Sequence, residues 1–180
     1  MNNMRLRLIV MNFLQCAAWG AYLTSMGAYL AGAGLATDIG NYYAIQGIVS
    51  IFMPALMGIV ADRWVQAQRL LSFCHLMAAV FMGLATWTGL TASTSGTEVN
   101  GTLLFTFYSI SVAFYMPTLA LSNSVAYTAL DKAGLDTVKA FPPIRVFGTV
   151  GFICAMLLVD FTGYQNTDMQ FAVSGDISLI

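Results

Sequence analysis

The sequence predicts an all-α integral membrane protein, a bundle of helices that cross the bilayer. Three observations predict it. Hydrophobic residues make up 58% of the 180 residues and charged residues only 8%, against roughly 25% charged in a soluble domain. The apolar residues fall in blocks of the length, about 20 residues, that a helix needs to cross the hydrocarbon layer. Between those blocks Lys and Arg recur on alternate loops only.

The first block, 8–30, follows Met1-Asn2-Asn3-Met4-Arg5-Leu6-Arg7. It is too long for the apolar core of a signal peptide and reads as a retained span. Blocks 39–61, 70–90, 103–130 and 144–162 complete five spans. A sixth opens at 169 and has reached about half a span at Ile180. A helix that ended in mid-bilayer would strand its last carbonyls in lipid. The expectation is therefore one transmembrane bundle over 1–180 with its sixth helix incomplete, the rest of a longer chain being absent. The linkers are short. The longest, 91–102, is rich in Ser, Thr and Gly and reads as a flexible external loop.

Arg5 and Arg7 precede span one, Arg63 and Arg69 follow span two, and Lys132 and Lys139 follow span four. The loops after spans one, three and five carry only the acids Asp38, Glu98, Asp160 and Asp168. Cations mark the cytoplasmic side, so the expectation is a multi-pass plasma membrane protein, of the inner membrane in a bacterium, with its N-terminus cytoplasmic. A net charge of −1 gives nucleic acid no purchase. Cys16, Cys74 and Cys154 lie in apolar segments without metal spacing, which argues for neither a disulfide framework nor a zinc site. No acid pair, nucleophile elbow or phosphate loop is present, so no enzyme chemistry, cofactor or metal is expected.

Polar residues inside apolar blocks are the candidates for function. Arg145 is the foremost, at the head of span five in Phe141-Pro142-Pro143-Ile144-Arg145. Pro142 and Pro143 suit a helix start. At about 100° per residue Arg145, Thr149 and Phe152 share one stripe, which offers a cationic fork, a hydroxyl and an aromatic face to a ligand with ring, hydroxyl and carbonyl groups. The competing reading is an arginine that snorkels to the headgroups from less than a turn inside the helix. In span one Gln15 and Trp19 stand at i and i+4; either they face a cavity, or Gln15 bonds a neighbouring helix and Trp19 packs. In span four Pro117 interrupts the ladder and Asn123 intrudes, for a ligand or for an interhelical hydrogen bond. His75, beside Cys74 in span three, reads as packed or interfacial. In span two Gly47, Ser50, Pro54 and Gly58 form a small-residue packing face. Gly58-Ile59-Val60-Ala61-Asp62-Arg63 resembles the Gly-x-x-x-Asp-Arg motif of the major facilitator superfamily between its second and third helices. It departs from it at Val65, Gln66 and Ala67, where the family continues with glycine and basic residues. An ordinary polar turn is the alternative.

Taken together, Phe13-Leu14-Gln15, Trp19-Gly20, Phe52-Met53-Pro54-Ala55-Leu56, Tyr115-Met116-Pro117-Thr118-Leu119 and Phe141-Pro142-Pro143-Ile144-Arg145 with Gly148-Thr149 and Gly151-Phe152 resemble the nucleoside:proton symporter family of the major facilitator superfamily. The resemblance runs over nearly the whole sequence and corresponds to the N-terminal half. It implies a major-facilitator-type N-terminal six-helix bundle, a second bundle absent from this sequence, and nucleoside import with the proton as coupling ion and no other cofactor. In the family the matching Arg, Thr and Phe of the fifth helix contact the nucleoside, which places Arg145, Thr149 and Phe152 in the substrate site, with Gln15, Trp19 and Asn123 as further candidates. Gly58, Asp62 and Arg63 would serve conformational change. The carboxylates thought to couple protons lie mostly in the other half, and Asp176 departs from the apolar sixth helix of the family without an assigned role. Two alternatives stand beside this: the same fold with a sugar or other small polar solute as cargo, and a membrane bundle that transports nothing.

Overall fold

The computed structural model describes residues 2–180. Among them the chain is helical with short connections and no strand. Helices α1 (Asn2–Leu23) and α2 (Met26–Gly32) form the first span, broken only at Thr24 and Ser25. They are followed by α3 (Ile39–Arg63), α4 (Ala67–Ser95), α5 (Gly101–Lys132), α6 (Thr137–Phe161) and the short α7 (Met169–Leu179). Five helical segments are long and apolar enough to cross a membrane. The protein is thus an all-helical, multi-pass bundle.

The helices run past the expected apolar blocks, the first from Asn2 rather than 8, and two of the differences have a clear local reason. Asp136 accepts hydrogen bonds from the backbone N–H groups of Val138 (3.0 Å) and Lys139 (3.4 Å), so α6 starts at Thr137, well before Ile144. A side-chain oxygen that satisfies the first free donors is a strong start signal, and it overrides the preference of proline for the first position. Pro142 and Pro143 therefore lie inside the helix, where the carbonyls of Val138 and Lys139 lose their usual partners. That loss falls in the first turn, beside exposed residues. The second difference is the linker expected over 91–102. Helix α4 runs on to Ser95 and ends at Gly96, whose φ of 64° suits a left-handed C-cap, and Asn100 starts α5 by accepting from the Leu103 N–H at 3.1 Å. Only 96–100 remain as a loop.

The helices pack through a central core of aromatic and small side chains. Tyr22, Met26, Tyr29 and Leu30 from the first span meet Tyr42 of α3, Met82 of α4, Tyr108 and Tyr115 of α5, and Phe171 of α7. Tyr22 stands edge-on to Tyr108 with centroids 5.9 Å apart, and Tyr29 edge-on to Phe171 at 5.5 Å. In lipid the apolar tails are as hydrophobic as the side chains, so close packing and interhelical hydrogen bonds hold such a bundle. Both are present. Tyr108 donates to Gln46 Oε1 (2.9 Å), joining α5 to α3; Ser111 donates to the Ala78 carbonyl (2.8 Å), joining α5 to α4; Ser174 donates to the Ala18 carbonyl (2.7 Å), joining α7 to α1. Helix α3 is the outlier, burying only Tyr42 and Gln46.

Candidate functional site

Helix α6 divides into three faces, and the division positions the candidate residues. One face is buried: Phe141, Ile144, Gly148, Gly151, Ala155 and Val159. It lies against α1 at unusually short range, because glycines on both helices remove the intervening side chains. A Cβ at Gly151 would stand 2.1 Å from the Phe13 carbonyl oxygen, and one at Gly20 would stand 2.4 Å from the Phe152 carbonyl oxygen. The opposite face is apolar and exposed, with Val146, Val150, Ile153 and Leu157, as lipid contact requires. Arg145, Thr149 and Phe152 occupy the flank between these two faces. Arg145 and Thr149 are exposed and Phe152 is half-buried.

The capping by Asp136 bears on Arg145 directly. With α6 starting at Thr137, Arg145 lies about two turns inside the helix rather than at its head. Within the described residues Arg145 has no ion pair; the one salt bridge there joins Lys139 to Asp136 at 3.5 Å on the surface.

The structure brings one further candidate to this flank. The Trp19 and Phe152 rings meet edge to face, with centroids 6.0 Å apart and planes at 81°. Trp19 Nε1 is buried and lacks a hydrogen-bond partner. Span one and span five thus bring an aromatic pair to the flank that carries the arginine and the threonine.

Gln15 is engaged elsewhere. Its Nε2 donates to Thr118 Oγ1 (2.7 Å), and its Oε1 meets His75 Nε2 at 2.8 Å. The hydroxyl of Thr118 spends its proton on the Tyr115 carbonyl (2.5 Å), and the Tyr115 hydroxyl donates to the backbone carbonyl of Gln15. Because Thr118 Oγ1 can then only accept, the amide orientation is fixed and His75 must donate through Nε2–H. Gln15, His75 and Thr118 tie spans one, three and four together, the interhelical alternative for Gln15. Sequence reading took His75 as packed or interfacial and gave Thr118 no role; the available signal for their link was three polar side chains at similar depth in three spans. Gln15 and His75 also line a groove of about 720 Å³ between α1, α4 and the end of α7, away from the Arg145 flank.

The other candidates stand apart. Asn123 is half-buried on α5 and makes no side-chain hydrogen bond among the described residues. Along α5 Thr102, Thr106, Ser124 and Thr128 are exposed and Ser109 half-buried on one side, with Leu103 and Tyr127 the large apolar side chains exposed on this helix. Thr106, Ser109 and Thr128 return their protons to carbonyls four residues back. On α3 a Cβ at Gly47 or Gly58 would meet nothing within 4 Å, so the small-residue face is bare within this chain. Asp62 and Arg63 are exposed at the end of that helix.

A family profile described as Nucleoside H+ symporter matches residues 1–180. The xanthosine permease of Escherichia coli (strain K12) is 41% identical over 177 residues, covering 97% of this chain and 40% of that protein. The nucleoside permease NupG of the same organism is 39% identical over 181 residues, covering 99% of this chain and 41% of that protein. The crystal structure of nucleoside transporter NupG superposes with a TM-score of 0.85 at 37% identity, over 98% of this chain and 42% of that one. The chain spans about two-fifths of the length of the relatives it matches, all named as permeases or transporters. With the profile matched from end to end and the bundle shared with a solved transporter, the chain belongs to the nucleoside H+ symporter family.

Proposed function

We propose that this chain forms the N-terminal bundle of a secondary active transporter that imports nucleosides by proton symport. The observation that carries the reading is the flank of α6: Arg145, Thr149 and Phe152 in line, beginning about two turns after the helix start, with Trp19 against Phe152. Arg145 offers a planar fork of donors to hydroxyl or carbonyl oxygens, Thr149 a hydroxyl, and the two rings a surface for a base. Paying the desolvation of an unpaired intramembrane cation makes sense where a polar solute meets it. The solute's remaining contacts, and the carboxylates that take the coupling proton, belong in this reading to the second bundle.

The bare faces support a second bundle. The small face of α3 and the hydroxyl side of α5 suit a protein or aqueous neighbour better than lipid. Two bundles rocking about a midplane site give alternating access. Gly58, Asp62 and Arg63, at the cation-bearing end of α3, would act in that motion, and the cation-bearing loops support a cytoplasmic N-terminus in a protein of the bacterial inner membrane.

The test is substrate binding and proton-driven uptake by the natural full-length protein. Uridine and adenosine should compete for uptake, and Arg145→Ala should abolish tight uridine binding at normal expression. Sugars that compete as well as nucleosides would shift the cargo. An Arg145→Ala protein with the parent's uridine affinity would overturn the site.

A further inference from the structure

At the cation-free end of the bundle lies a buried acid that the transport reading does not use. Asp168 immediately precedes α7 and is only 9% exposed. Its Oδ2 is buried without a hydrogen-bond partner. Tyr29, 6% exposed, turns a buried hydroxyl with no partner toward the same place. Gly89 of α4 completes the cluster. A Cβ there would stand 2.6 Å from Tyr29 Oη, 2.6 Å from Asp168 Cβ and 3.1 Å from Asp168 Cγ. Phenol and carboxyl group are therefore no farther apart than two short contacts laid end to end. The first span, the third span and the start of the sixth helix meet here so closely that only glycine fits between them.

The chemistry of the cluster is selective. A buried carboxylate needs a cation or several donors to offset the loss of water. The cations Arg5, Arg7, Arg63, Arg69, Lys132 and Lys139 belong to the opposite end of the bundle, and Arg145 to α6. From α2 the facing titratable group is Tyr29. Helix α4 presents Gly89, and the ionisable groups around Tyr29 and on the adjoining segments include Tyr22, Tyr42, Asp38, Tyr164, Asp160 and Asp176, none of them a cation. One phenol is too little for a carboxylate, whereas a neutral carboxyl has an O–H to donate and Tyr29 Oη can accept it. Burial accordingly raises the Asp168 carboxyl above its usual range, against the opposing pull of its own backbone N–H.

We propose that Asp168 is a proton-binding site at the acidic end of the bundle, and that its protonated carboxyl latches the start of the sixth helix to Tyr29 and the third span. The carboxylate takes one proton from hydronium, water is released, and nothing else is exchanged. Neutral Asp168 lets the three elements close around Gly89. Ionised Asp168 draws water and loosens the start of α7, whose other ties include the Ser25 hydroxyl on Gln170 Oε1 (2.8 Å) and the Phe171 ring among Tyr22, Tyr29 and Tyr108. The site stands on burial and close approach, and is independent of the cargo.

Infrared difference spectra of the full-length protein in lipid, recorded without substrate across a pH series, test it. The expected result is a protonated-carboxyl C=O band that disappears at a pH above the ordinary carboxylate range and is missing in Asp168→Asn. Tyr29→Phe, which keeps the ring on Phe171, should move that titration to lower pH by removing the acceptor of the neutral acid. In a cysteine-free background, a thiol placed at Asn166 should label several-fold faster as pH rises in the parent, relative to the same thiol in Asp168→Asn. A band unchanged in Asp168→Asn, a titration within the ordinary range, or a labelling ratio that ignores pH would each overturn the proposal. Should Asp168→Asn fail to fold, Tyr29→Phe alone decides: an unshifted titration overturns the latch. Failure of nucleoside uptake leaves every one of these readouts in place, so the two readings fail separately.

Discussion

Gly151→Ala should separate α1 from α6. The added methyl would lie 2.1 Å from the Phe13 carbonyl oxygen, 2.8 Å from its carbonyl carbon and 3.0 Å from its Cα. Ordinary contact begins near 3.4 Å, so the helices must part by about an ångström. All three obstructing atoms are backbone, and no rotamer change relieves them. Overpacking of this kind costs about 1–3 kcal/mol, and rigid neighbours place Gly151→Ala toward the upper end. The displacement also lifts Phe152 from Trp19, because Gly20 packs against the Phe152 carbonyl so closely that a Cβ there would stand 2.4 Å from its oxygen. The assay is a denaturant titration of the purified full-length protein in detergent, followed by near-ultraviolet dichroism. Gly83→Ala is the control: nothing lies within 4 Å of its Cβ position, and alanine favours a helix by about 0.5–1 kcal/mol. Gly20→Ala should behave like Gly151→Ala, and the pair should be non-additive, since one opening of the seam admits both methyls. An unfolding midpoint for Gly151→Ala equal to that of the parent would refute the glycine-seam reasoning.

Thr149→Val keeps the shape of the side chain and removes its hydroxyl; uridine affinity should fall roughly tenfold, about 1.4 kcal/mol, in equilibrium binding. Arg145→Lys keeps the charge and loses the planar fork, so uptake should fall though less than in Arg145→Ala, while Val146→Ala on the lipid face should stay near the parent. Gln15→Leu and Thr118→Val break one hydrogen bond from either side, and a double-mutant cycle on unfolding should give a coupling of about 0.5–3 kcal/mol. Because burial raises the Asp168 carboxyl, the folded protein holds that proton more tightly than the unfolded chain. Its contribution to stability is full below the unfolded pKa and is lost as pH rises through the folded one, a slope that Asp168→Asn should flatten in unfolding titrations. A thiol at Thr97 should react with an impermeant reagent from outside the cell; reaction from the cytoplasmic side alone would reverse the topology.

Much of this protein is written at the level of single segments. A membrane helix satisfies its own backbone, so length and apolar composition suffice to mark each span. Loop cations mark sidedness without reference to packing. The 3.6-residue repeat puts Arg145, Thr149 and Phe152 on one side of any helix that contains them, and that needs no partner helix either. Tertiary structure decided what those faces meet. Whether Gln15 contacts a ligand or a neighbouring helix depended on His75 and Thr118, which are 60 and 103 residues away in the chain. The place of Arg145 along its helix depended on a cap at Asp136 that outranked two prolines. Asp168 reads as one more loop acid until Tyr29 and Gly89, from two other spans, close over it. Sequence fixes periodicity because periodicity is a property of one helix; burial and pairing are set by distances between helices, which no single segment encodes.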